Sequence, residues 1–368
     1  MYEVECIVVG AGVVGLAIAR ELAISGREVI VLEAEGQKGL HASSRNTSVI
    51  HAGINYASAG YKGRLCRDGK QRLYRYCNER NIPHQRIGKL VTADKASGEG
   101  GLHYLRKLQA KAKEQGLEEL FFMTAKDVSQ LEPQLVCAGA LWSPTSGIID
   151  VHAYMDALQG DLEDHRGAIA FNSPVRSGMI EGGWIRLSIA DKDETVISCK
   201  IMINAAGLDA PYVAASIKNR SNKIVPPRLL AKGTYCVLKR TSPFAHLVYP
   251  APHGVHASLD LEGQLRFGPD SEWTDQIDYR LDEARIAPFY EKIRAFWPDL
   301  RDGDLAPGWV GIRAKISTGK TNETDFQIGV SEAGLCCLID LYGIDSPGLT
   351  ASMAIAAEVN RLVTQNKN

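Results

Sequence analysis

Apolar positions open this chain in two short unbroken runs, Cys6-Ile-Val-Val9 and Val29-Ile-Val-Leu32, separated by a stretch that reads as a helix. Runs of this length bounded by glycine or charge predict buried strands, so the amino-terminal pattern is strand, helix, strand. From Gly63 to Arg80 the period is helical, with Leu65, Leu73 and Tyr76 on one side and charges on the other, which predicts packing against the first sheet. Gly88-Lys-Leu-Val-Thr-Ala93 predicts a strand, Gly98 to Gly116 a helix, and Glu119 to Met123 a short strand. Thr124-Ala-Lys-Asp127 predicts a helix start with a capping side chain. Asp150 to His165 is again helical, and Ala168-Ile-Ala-Phe171 is a strand. Trp184 to Ala190 and Thr195 to Cys199 alternate as a hairpin over Asp191-Lys-Asp193, and Cys199 to Asn204 returns to a buried strand.

The texture changes from about Pro226 to Pro307, which is rich in Pro, Gly, Tyr and Trp. Its clearest strands are Tyr235-Cys-Val-Leu238, His256-Ala-Ser-Leu-Asp260 and Gln264-Leu-Arg-Phe267, with Glu262-Gly263 as a hairpin turn. At 368 residues two domains are the default. The expected fold is therefore α/β (α+β overall), with a discontinuous Rossmann-like domain at 1–85, 145–225 and 308–368. A mainly antiparallel β substrate domain is expected at 86–144 and 226–307.

Composition narrows the function classes. With 42 basic and 43 acidic residues the chain has no global attraction for nucleic acid or anionic lipid. The eight cysteines show no C-x-x-C pair and no metal-ligand spacing, so they read as free thiols of a reducing compartment, and no metal is expected. Cys336-Cys337 lies on an apolar strand where neighbours point to opposite faces, which argues for two buried small residues over a redox dithiol. Met1 to Glu5 lacks a signal-peptide flank, and no run reaches the roughly 20 apolar residues of a membrane helix. The expected location is cytoplasmic, with peripheral membrane contact left open.

The chemistry lies in the turns. The first strand enters Gly10-Ala-Gly12-Val-Val14-Gly15 and the second ends in Glu33-Ala34, eighteen residues past Gly15. Glycines for the tight turn, for approach to a pyrophosphate and for helix–strand packing, with a carboxylate for a ribose hydroxyl, form a dinucleotide fingerprint. Glu33 would repel a 2′-phosphate, which favours FAD or NAD over NADP. Two further segments select FAD. Ile203-Asn-Ala-Ala206-Gly207 is a buried strand reaching a small-residue turn, which lets the backbone pass close over a dinucleotide. Gly343-Ile-Asp-Ser346-Pro347-Gly348-Leu349-Thr350 precedes the alanine-rich helix Ala351 to Val363, whose amino end can stabilise negative charge on a reduced flavin.

Together these segments resemble the FAD-dependent oxidoreductases of the D-amino-acid oxidase superfamily over nearly the whole chain. Ser43-Ser44-Arg45-Asn46-Thr-Ser-Val-Ile-His51-Ala-Gly-Ile-Asn55-Tyr56 is similar to the flavin-facing stretch of the L-2-hydroxyglutarate oxidase/dehydrogenase family. Gly254-Val-His256, Arg266-Phe-Gly-Pro269 and Gly343 to Ser352 resemble that family's middle and terminal motifs, with Asp345 where Glu is usual and Asn55 where an aromatic residue is common. The resemblance implies cofactor contacts from Ser43, Ser44, Arg45 and Asn46, and backbone contacts to the adenine from Val175.

Oxidising an alcohol beside a carboxylate requires hydride loss to flavin N5, proton loss from the hydroxyl, and a clamp for the carboxylate. His51 and His256 are both candidate bases, His51 by the ring and His256 on the substrate side. Each has a plainer reading, His51 as a structural or covalent-flavin residue and His256 as a satisfied strand histidine. Arg313, in Gly311-Ile-Arg-Ala314, resembles the superfamily's substrate-anion arginine, although proline commonly follows there; its plainer reading is a surface ion pair. Tyr56, Lys232, Tyr249 and Arg266 are candidates for a second substrate carboxylate. The expected activity is oxidation of an L-2-hydroxy acid, L-2-hydroxyglutarate first, with oxygen or a quinone as acceptor. A glycerol-3-phosphate, amino-acid or amine dehydrogenase of the same superfamily is the alternative. A non-catalytic dinucleotide-binding protein is a further one.

Overall fold

The computed structural model describes residues 2–54, 56, 60–117, 119–221, 224–252, 254–316, 325–332 and 334–366. Asn55 lies outside them. Tyr2–Val9 is the centre of a nine-stranded sheet, paired in parallel with Val29–Leu32 on one side and Val196–Asn204 on the other. Ala168–Ala170 extends the parallel set beyond Val29–Leu32, and Cys337–Tyr342 runs parallel to Val196–Asn204. Strands buried on both faces need no alternation, which is why they read as continuous apolar runs.

Register is what positions the site. Val9 stands opposite Leu32 and Asn204, and Asn204 opposite Asp340, so the parallel strands end level with one another. Their outgoing loops, at 10–15, 33–35, 205–207 and 343–347, emerge from one edge of the sheet. That carboxyl edge is where open α/β sheets bind ligands. Helix Val13–Ile24 covers one face, packed with Val151–Asp164 and Gly348–Gln365 around Leu16, Leu22, Leu158 and Ile355, all without solvent exposure. Tyr61–Glu79 packs on Gly348–Gln365.

A second nine-stranded sheet is antiparallel except where Lys89–Ala93 lies parallel to Leu247–Ala251. It follows the order Glu272–Thr274, Leu229–Leu238, Leu265–Phe267, Ala257–Leu259, Leu247–Ala251, Lys89–Ala93, Gly139–Ser143, Phe121–Thr124. Leu305–Lys315 pairs along Leu229–Leu238. The expected return to the nucleotide-binding domain at 308 therefore falls inside a strand of the second sheet, and the chain crosses back only after Lys315. A three-stranded sheet of Val49–Ile50, Gly147–Ile149 and His84–Gln85 lies between.

The predicted helix start at Thr124 carries a capping box. Thr124 Oγ1 accepts from Asp127 N at 3.3 Å, and Asp127 Oδ2 accepts from Thr124 N at 2.9 Å. The 184–199 hairpin is present, Trp184–Ile189 pairing antiparallel with Val196–Asn204. Helix Ala287–Arg294 in the middle region was not anticipated. All eight cysteines are buried and none is in a disulfide, Cys336 and Cys337 among them. Among the described residues no helix is long and apolar enough to cross a membrane, and no cluster of ligating side chains could hold a metal ion.

Candidate active site

The glycine loop is fixed by its own backbone. Gly10 has φ +103°, and a Cβ there would lie 2.7 Å from Ala205 O; one on Gly15 would lie 1.9 Å from Gly10 O. Gly10 N donates to Leu32 O at 2.8 Å, tying the turn to the second strand. Glu33, buried at the end of that strand, accepts from Ala11 N at 2.6 Å and Glu35 N at 2.9 Å. Each carboxylate oxygen thus keeps a further lone pair for an outside donor. The sequence had not indicated this second duty, holding the glycine loop. Ser43 also braces that loop, its Oγ accepting from Val13 N at 2.9 Å.

From the glycine loop a cavity of about 720 Å³ runs between the two large sheets. Its first part is walled by Gly12, Val14, Gly15, Ser43, Arg45 and Asn46, and by the turn through Ala205 and Gly207. Asn46 stiffens its own segment, donating to Ala42 O and Ser43 O and accepting from Ser48 N. Arg45 lies over the Tyr279 ring at 3.9 Å and donates to Leu40 O. Ser346, Pro347, Gly348 and Leu349 close the far part. Gly348–Gln365 begins there with no side chain capping it, so the positive end of an eighteen-residue helix opens on the cavity.

The other expected cofactor residues stand behind or beside this wall. Gly10, Glu33, Ser44, Ala206 and Gly343 hold the loops without lining the cavity. Ala34 is exposed just past Glu33, and Val175 begins the strand Val175–Glu181. Thr350 is buried, its Oγ1 accepting from His51 N at 3.0 Å, which ties the helix start to the histidine segment.

The expected catalytic residues meet at the far part. His51 follows the short strand Val49–Ile50, and its Nε2 is 3.4 Å from Ser346 Oγ, which in turn contacts the Tyr56 hydroxyl at 3.2 Å. His256 stacks on Tyr249 with centroids 3.8 Å apart, and the Tyr249 hydroxyl is hydrogen-bonded to Thr47. Arg313 comes from Leu305–Lys315 and reaches the Tyr235 hydroxyl. Burial, followed by the charges of Lys89 and Arg313, pushes the His256 imidazole down to about 3. Burial and then Lys89 and His256 hold His51 well below the usual histidine range. Both rings are therefore held neutral at physiological pH.

Two expected substrate residues are elsewhere. Arg266 is ion-paired with Asp260, and Lys232 donates to Arg280 O at 2.9 Å with Asp278 at 3.8 Å. Neither lines the cavity. The hairpin register, which sets Ser258 opposite Arg266, is the signal that would have brought Asp260 to Arg266. Three lysines that the sequence did not single out line it instead. Lys62 and Lys315 both contact Asp345, Lys62 at 2.7 Å, and Lys89 is buried in the wall.

A profile described as FAD dependent oxidoreductase matches residues 5–362. The chain belongs to this DAO family of FAD-dependent oxidoreductases. It is 38% identical to the mitochondrial L-2-hydroxyglutarate dehydrogenase of Arabidopsis thaliana, over 97% of this chain and 83% of that protein. It is 26% identical to the Homo sapiens protein of the same name, over 98% and 89%. A glycerol 3-phosphate dehydrogenase of Caloramator mitchellensis is 28% identical, over 98% of this chain and 73% of that one. In fold it matches L-alpha-glycerophosphate oxidase from Mycoplasma pneumoniae, solved with FAD bound, at a TM-score of 0.89 and 22% identity, over 99% of this chain and 95% of that one.

The residues present fit FAD. A Cβ on Gly12 would come within 3.0 Å of Ser43 Oγ and narrow the cavity where the backbone must approach a pyrophosphate. Glu33 has lone pairs for a ribose hydroxyl, and the helix Gly348–Gln365, with no capping side chain, would turn its positive end to the electron-rich side of the ring. The protein is an FAD-dependent oxidoreductase.

Proposed function

We propose that this chain oxidises an L-2-hydroxy acid, with L-2-hydroxyglutarate as substrate and 2-oxoglutarate as product. The observation that carries the reading is the meeting of Arg313 with two neutral imidazoles, His51 and His256, on the wall of a cavity shared with the cofactor loops. FAD held by the loops at 10–15, 205–207 and 343–349 would supply the two-electron acceptor for the hydride. Arg313 fits the carboxylate next to the reacting carbon through its two-pronged guanidinium. One of the two imidazoles takes the hydroxyl proton as the hydrogen on C2 leaves with its electron pair, and the C–O bond becomes C=O. Tyr56, Ser346 and Tyr249 orient the rings.

The names of the relatives from Arabidopsis thaliana and Homo sapiens support this substrate class over glycerol 3-phosphate. So does the charge layout. Lys62 and Lys315 are both spent on Asp345, so among the described residues these two form no free cationic cluster for a phosphate ester. The proposed setting is a reducing aqueous compartment, the cytoplasm, with oxygen or a quinone as acceptor and peripheral membrane contact in the quinone case. The test is turnover of L-2-hydroxyglutarate with an artificial dye. One 2-oxoglutarate released per two electrons delivered supports the reading, and dye reduction without 2-oxoglutarate refutes it.

A further inference from the structure

Lys89 is only 2% exposed, and every residue of its strand, Lys89–Ala93, is buried. The strand is covered on both sides, by Leu247–Ala251 and by Gly139–Ser143. An ammonium in such a place is costly unless an anion or donor-rich partner offsets its lost hydration. Among the described residues it forms no ion pair. The two carboxylates on the cavity wall are committed elsewhere: Asp345 to Lys62 and Lys315, and Asp325 to the backbone N–H groups of Tyr61, Lys62 and Phe326. The closest compensation is the Tyr249 ring, whose centroid is 4.8 Å from Nζ.

Lys89 lines the same cavity as Arg313. Both cations act on His256, while Lys89 also acts on His51. The two therefore bracket the imidazoles from different strands of the second sheet, Arg313 from Leu305–Lys315 and Lys89 from Lys89–Ala93, with Leu229–Leu238 and the 247–267 strands between. A single carboxylate needs one clamp. Two separated cations in one cavity, neither ion-paired among the described residues, are suited to an anion with two separated charges.

We propose that Lys89 binds the distal carboxylate of the substrate while Arg313 holds the carboxylate beside the reacting carbon, so that the site selects dicarboxylic 2-hydroxy acids. This rests on the proposed oxidation. Removing one partner of a desolvated, hydrogen-bonded charge pair costs on the order of 10²–10³-fold in binding. Sites built around a charged group reject analogues that lack it for the same reason.

The test is anaerobic flavin reduction in the holoenzyme with L-2-hydroxyglutarate and with L-2-hydroxyvalerate, the same five-carbon chain with a methyl in place of the distal carboxylate. Lys89→Met should lower the ratio of kcat/KM for the dicarboxylate to that for the monocarboxylate roughly 10²–10³-fold, with Lys89→Arg recovering much of the loss. Equal losses for both substrates would make Lys89 a packing residue and overturn the proposal. So would unchanged reduction with slower reoxidation by oxygen, which would assign the lysine to the acceptor step. A second measurement needs no turnover: glutarate titrated against the flavin absorption band, with butanoate beside it. Weaker glutarate binding in Lys89→Met with butanoate unaffected supports the assignment even if L-2-hydroxyglutarate is not oxidised, whereas equal glutarate affinity in both proteins overturns it.

Discussion

Asp345→Asn is the most informative single change to the cofactor loop. Asp345 is 3% exposed in its side chain and sits between Lys62, 2.7 Å away, and Lys315. Asparagine keeps the shape and removes the charge, leaving two ammonium groups facing each other across a neutral amide. Breaking a buried pair in this way costs about 3–5 kcal/mol. The lysine side chains keep 13% and 22% exposure, which points to the lower end, about 3 kcal/mol. For a chain of this size that is a fall of about 4 °C in unfolding temperature. The assay is thermal unfolding of the apo and FAD-loaded forms followed by circular dichroism. Adding Lys315→Met to Asp345→Asn should recover about half of the loss, because the second change removes the charge left without a counter-ion. A shift below about 1 °C in both forms, or losses that simply add in the double variant, would refute the clamp.

The two loop glycines should separate folding from cofactor binding. Gly15→Ala drives a methyl into Gly10 O, 1.9 Å away, so it should give little folded protein by size-exclusion and circular dichroism, whereas Gly12→Ala meets only a side-chain oxygen at 3.0 Å and should fold but retain little FAD on gel filtration. Glu33→Ala leaves Ala11 N without its acceptor and should cost about 1–3 kcal/mol in apo stability as well as FAD affinity, read by thermal unfolding and flavin titration. With the His256 imidazole pushed down to about 3 and His51 held low, the base is already unprotonated at neutrality, so kcat/KM should show no acid fall between pH 5 and 7. A loss centred near 6.5 would contradict this. Replacing the true base by glutamine should slow flavin reduction about 10²–10⁴-fold, and replacing the other should not. Burial lowers Lys89 to about 8, so it carries its charge below that pH and loses it above. The groups that face it stay neutral there, since Cys66 is pushed up to about 12, the Tyr249 hydroxyl is raised too, and His51 and His256 are lowered. kcat/KM for a dicarboxylate should fall as pH rises through about 8, and Lys89→Arg should abolish that fall.

What the sequence discloses and what it conceals divide along range. The glycine loop, Glu33, the uncapped start at Gly348 and the capping box at Thr124 are local, since each is a turn or terminus whose chemistry lies within a few residues. The histidines and Arg313 were legible through family resemblance, and the fold brings all three to one cavity. Lys89 was not, because nothing in Gly88-Lys-Leu-Val-Thr-Ala93 tells that both flanking strands are paired. A charged residue in an otherwise apolar strand was the available signal. Lys232 and Arg266 were expected at the substrate for their charge alone, but their partners, Arg280 O, Asp278 and Asp260, come from neighbouring turns. The domain limit expected near 308 falls inside the strand Leu305–Lys315, whose glycines at 308 and 311 let it pass close to Tyr235 and Arg45.

The measurement that bears most directly on the whole account is the visible spectrum of the purified, FAD-loaded protein without oxygen, before and after L-2-hydroxyglutarate, with the D enantiomer and glycerol 3-phosphate in parallel. The account predicts bleaching of the flavin band by the L enantiomer alone. Bleaching by glycerol 3-phosphate instead, or by none of the three, would contradict the substrate assignment while leaving the family and the cofactor as they stand.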